Sequence, residues 1–144
     1  MLLEFSDWLF YSDWDATRAY AAEEMAEHCT CAYCRNYYRI VDSVYPNLRQ
    51  FLSRFGAEIE APESLTPITS ELYQASFVVQ GKILRKGSEP IWVHDIAITA
   101  EENVEPDWFV IQLGIMKLPW VLEQSLDSVP EPYGLADMIS DIRK

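Results

Sequence analysis

Three cysteines and a histidine fall within seven residues, His28-Cys29-Thr30-Cys31-Ala32-Tyr33-Cys34, and no other cysteine occurs in the 144-residue chain. Cys31 and Cys34 have the two-residue gap with which a pair of thiolates grips one zinc ion, and Cys29 and His28 are candidates for the remaining corners of a tetrahedron. The same thiols can exchange disulfides, or can fill a tight helix junction as small hydrophobes. On one straight helix the cluster would spread over about 9 Å of axis, at about 1.5 Å per residue, too far for a single ion with zinc to sulfur bonds of about 2.3 Å. Convergence therefore requires the backbone to bend near Thr30. With Thr30 capping a second helix, Cys31 takes its first position and Cys34 stands one turn in, where free amides and the helix dipole favour thiolates.

Beside the cluster, Tyr33 and Tyr37, and Arg35 and Arg39, repeat at four residues and make a basic and aromatic strip. Such a strip suits recognition of an acidic peptide or a small anion, or docking onto Glu23, Glu24 and Glu27. His94, the second of two histidines, shares a strand parity with Trp92, Ile96 and Ile98, which points to a core or sheet-edge imidazole. No Gly-rich phosphate loop, Gly-x-Ser-x-Gly elbow or His-Glu-x-x-His pair occurs, so no residue is assigned a catalytic role. The cysteines leave two uses open: a structural or metal-binding cluster in a non-enzymatic binding domain, and a metal- or thiol-dependent enzyme built on the Cys31/Cys34 pair.

The net charge is −12, and its distribution is uneven. Residues 1–27 carry seven acids and one base, whereas residues 34–54 set four arginines against Asp42 alone. A field of that sign repels phosphate backbones, so nucleic acid is excluded as a partner and an unknown protein or small ligand is expected. No stretch reaches the roughly 20 apolar residues needed to cross a bilayer, and the acidic start Leu2-Leu3-Glu4-Phe5-Ser6-Asp7 lacks the form of an export signal. These features predict a cytoplasmic protein without membrane contact, in a reducing compartment where an odd number of thiols stays free or binds metal.

The cluster must be positioned by the elements on either side. Asp15 to His28 is rich in helix formers. Tyr37, Tyr38, Val41, Val44, Tyr45, Leu48, Phe51, Leu52 and Phe55 keep a helical period, broken at Pro46 and stopped at Gly56. Residues 2–11 read as a strand, as do Tyr73 to Ile83, Ile91 to Thr99 and Trp108 to Met116, the last three suggesting a meander, and Leu135 to Ile142 reads as a closing helix. The fold class is therefore α+β, one domain over residues 1–144, with N-terminal helices packed on one face of an antiparallel sheet of three to four strands.

Two resemblances bear on the cluster. Cys31-Ala32-Tyr33-Cys34 resembles the redox pair of glutaredoxin-like proteins over four residues, although an alanine-rich helix stands here where those folds place a strand. Residues 27–56 resemble a set of small bacterial proteins with the pattern His-Cys-x-Cys-x-Tyr-Cys-x-Asn-aromatic, then Phe-Leu and Phe-Gly, here His28 through Tyr37, Phe51-Leu52 and Phe55-Gly56. The second resemblance implies a small cytosolic domain and carries no activity with it.

Overall fold

The computed structural model describes residues 1–102 and 107–123. The closing helix expected over Leu135 to Ile142 lies outside the described residues. Among the described residues the chain forms three helices and an eight-stranded antiparallel sheet, so the α+β class holds. The expected count of three to four strands is too low, because stretches that read as single strands turn in their middle. Residues 2–11 form a hairpin, β1 (Leu2–Phe5) and β2 (Trp8–Ser12), around a two-residue turn at Ser6 and Asp7. Ser6 takes φ 55 there, the positive sign that matches a tight turn to strand twist.

Asp13 caps α1 (Trp14–Ala26) by accepting the Ala16 amide. A break at Cys31 separates it from α2 (Ala32–Val44), and Pro46 opens α3 (Pro46–Phe55) directly after the single residue Tyr45. Gly56 ends α3 in the left-handed conformation, φ 92, donating its amide back to Leu52 and Ser53 carbonyls. Then come β3 (Ser64–Pro67), β4 (Leu72–Arg85), β5 (Ile91–Val93), β6 (Ile96–Glu102), β7 (Trp108–Leu113) and β8 (Met116–Lys117).

The strand order is β1-β2-β4-β7-β6-β5, with β3 and β8 also pairing to β4. This is not the expected meander, because β7 returns to lie between β4 and the β5/β6 hairpin. Its Phe109, Ile111 and Leu113 then complete one apolar face with Tyr73, Phe77 and Val79 on one side and Ile96 and Ile98 on the other. Alternation along each strand marks a buried face but leaves the order of neighbours open.

The helices α2 and α3 cover that face with Tyr37, Val41, Leu48, Phe51, Leu52 and Phe55, all in one apolar cluster with Trp8 and Phe10 of β2. The helix α1 behaves differently, burying only Thr17 and Ala21. It closes the edge of β4 between β2 and β3: the Asp13 amide donates to the Gln80 carbonyl at 2.8 Å, and the Gln80 amide to Thr17 Oγ1 at 3.0 Å. Its Tyr20 packs against Trp108, which by alternation points away from Phe109 and the core. Among the described residues no helix is long and apolar enough to cross a membrane.

Candidate metal centre

The backbone bends where the cysteines lie. The helix α1 ends with Glu27 as its cap, residues 28–30 have no regular structure, and α2 starts at Ala32. The helix cap is Cys31 itself, one residue later than the Thr30 cap expected from the sequence. Its Sγ accepts the Cys34 amide at 3.4 Å, a bond that a hydroxyl at position 30 would have to make from one residue further away. The Cys31 amide in turn donates to Cys29 Sγ, also at 3.4 Å. Two of the three sulfurs thus sit on backbone donors, at a helix end whose partial positive charge favours anions.

All three sulfurs lie within 4.8 Å of one another. Tetrahedral zinc with bonds of about 2.3 Å would set them about 3.8 Å apart, a closure within reach of side-chain rotation. Cys29 and Cys31 are exposed and Cys34 is buried, so packing as a small hydrophobe accounts for Cys34 alone. Amide donation from Cys31 holds the Cys29 thiol below its ordinary range, followed by a hydrogen bond with the Cys31 side chain. Burial pushes the Cys34 thiol up, and its hydrogen bonds to Cys31 and Cys29 add to that.

His28 is exposed, and its ring stacks on Tyr38 with centroids 4.5 Å apart and planes 19° off parallel. It is not part of the group of converging ligand atoms. Tyr38 was not singled out from the sequence, although its place four residues after Cys34 on α2 was the available signal. Burial first, then the charges of Cys34 and Cys29, raise its phenol above the ordinary range, so it borders the sulfurs.

The strip beside the cluster divides. Tyr37 is wholly buried and donates its hydroxyl to the Ile59 carbonyl at 2.5 Å, and Tyr33 is buried with its ring 5.7 Å from Trp120. Arg35 and Arg39 are exposed, and Arg35 Nε donates to the Thr30 carbonyl at 3.0 Å, clipping the cysteine loop to α2. In α1 the ion pair found among the described residues joins Arg18 to Glu58. His94 is exposed in the β5/β6 turn with φ 54, and its Nε2 lies 2.8 Å from Asn47 Nδ2. It tethers that hairpin to α3, far along the chain from the sulfurs.

Asn36 stands in the quoted motif, but its structural role was missed. Fully buried, it donates to the Pro119 carbonyl at 3.1 Å and the Tyr73 hydroxyl at 3.3 Å, and accepts the Val121 amide at 2.8 Å. It fixes α2 against the chain beyond β8 without help from the cysteines.

Fold and site together define an α+β protein with a three-cysteine group that can hold a metal ion. No protein-family model matches the chain, and neither a curated protein nor a solved structure matches it.

Proposed function

We propose that the chain acts as one cytoplasmic, non-enzymatic binding domain in which Cys29, Cys31 and Cys34 hold a zinc ion, with His28 the nearest imidazole. The observation that carries this reading is the approach of the three sulfurs to within 4.8 Å on a backbone that already directs amides at two of them. Thiolate sets select zinc and other soft ions over magnesium or calcium, which prefer oxygen. Arg35 and Arg39, exposed beside the centre, are the groups that would meet an anionic protein or small ligand. Nucleic acid and membranes are not among the partners proposed. A thiol enzyme on Cys31 and Cys34 gains support from the exposed Cys31 at the start of α2, but a two-thiol exchange pair gives no part to the third converging sulfur, Cys29, which a metal ion does.

Elemental analysis of protein purified with zinc present tests the reading, and about one equivalent per chain is expected. Cys31→Ser keeps an oxygen acceptor for the Cys34 amide and removes one ligand, so the fold should persist while zinc affinity falls by more than about 100-fold. Wild-type protein retaining less than about a tenth of an equivalent after reconstitution would overturn it.

A further inference from the structure

We infer that the fourth position of an ion held by Cys29, Cys31 and Cys34 is an exchange position, filled from outside the chain by a thiolate, so that the site passes a thiophilic ion to and from thiol-bearing carriers. This rests on the metal reading above. Three observations support it.

The described residues close only one side of the ligand set. Cys34 lies beneath, buried, whereas Cys29 and Cys31 are exposed, so an ion on these sulfurs faces water. The nearest imidazole, His28, stands outside the converging ligand atoms, with its ring stacked on Tyr38. Structural zinc sites supply four protein ligands, whereas three ligands and an open corner is the arrangement that admits an outside group.

An ion here would also join nothing remote. Its three sulfurs span residues 29–34, whereas α2 is held by buried Tyr37 and Val41 and by the Asn36 bonds to Tyr73, Pro119 and Val121. The ion can leave without loosening those anchors. The unfolded chain keeps the same local donor set, so binding distinguishes folded from unfolded chain only weakly.

Finally, the surroundings suit a fourth negative sulfur. Zinc with four thiolates carries two negative charges, and both the amino end of α2 and the Arg35 guanidinium, fastened to the Thr30 carbonyl, stand beside it. In the exchange the incoming thiol releases its proton to solvent, its sulfur bonds to the ion, and a water leaves. Each of the chain's own thiolates is then displaced in turn by a further thiolate of the carrier and takes a proton from solvent as it leaves, and nothing is oxidised or reduced.

Full-length apoprotein loaded with one equivalent of cobalt(II) and titrated with a small monothiol tests this by absorption. The thiolate-to-cobalt charge-transfer band should grow by about a third, as three sulfurs become four, while the ligand-field bands stay tetrahedral. His28→Ala should respond identically. A band indifferent to the thiol in wild type but responsive in His28→Ala would mean that His28 closes the site, which overturns the exchange position and leaves the metal reading standing. Absence of any cobalt-thiolate band in wild type would overturn the metal reading and this inference with it.

Discussion

Cys31 serves two purposes at once: its sulfur completes the start of α2 and is also one of the three converging donors. The cluster could be recognised in the sequence because sulfur is scarce and its spacing is short, so chemistry and proximity are both written locally. Asn36 and Tyr38 lie in the same stretch yet carried no such sign. The partners of Asn36 are at Tyr73, Pro119 and Val121, and only the folded chain brings them near. Asn36→Ala strands the Val121 amide and the Pro119 carbonyl in a partly buried place, which should cost about 3 kcal/mol. Urea unfolding measures this, and a loss below about 1 kcal/mol would show that water replaces the side chain.

At the scale of elements, the punctuation of the helices was legible and that of the strands was not. Pro46 and Gly56 act through their own backbone chemistry, so the α2/α3 break and the α3 stop appear where the sequence places them. Strands such as β5, with three residues, and β8, with two, are too short to show a period, and the turn between β5 and β6 uses His94 where a glycine would have announced it. Gly56 carries a second constraint besides its φ of 92. A Cβ there would stand 2.5 Å from the Trp14 carbonyl oxygen, because α1 begins against the end of α3. Gly56→Ala should therefore cost at least about 2 kcal/mol, read as a lowered thermal midpoint, and an unchanged midpoint would refute this tight approach.

For the whole molecule, several tyrosines sit where a phenolate is unwelcome. Burial, with neighbouring Glu24, pushes Tyr20 up to about 12, burial pushes Tyr73 to about 12, and burial raises the enclosed Tyr37 well above the ordinary 10.0. Each pKa is higher folded than unfolded, so the folded state holds these protons more tightly. The resulting stability is fully present below pH 10.0 and drains away as pH rises above it. Thermal midpoints taken from pH 8 upward should hold steady to about pH 10 and then fall, and a level profile beyond that would contradict the burial of these rings. Overall strand order was the least legible property, since alternation reports which side of a strand is covered and never by whom.

β4 collects β2, β3, β7 and β8, and that arrangement bears on how the protein is made. On the ribosome β2 and β3 emerge before it, but the strand that lines its other edge, Trp108–Leu113, follows only later. Until then Phe77 and Val79 lack their β7 neighbours Ile111 and Phe109, and a nascent chain halted at this stage presents a long bare edge to other chains. Assembly must wait for a distant segment, so the interval between synthesis of β4 and of β7 is the one in which the nascent chain is most vulnerable.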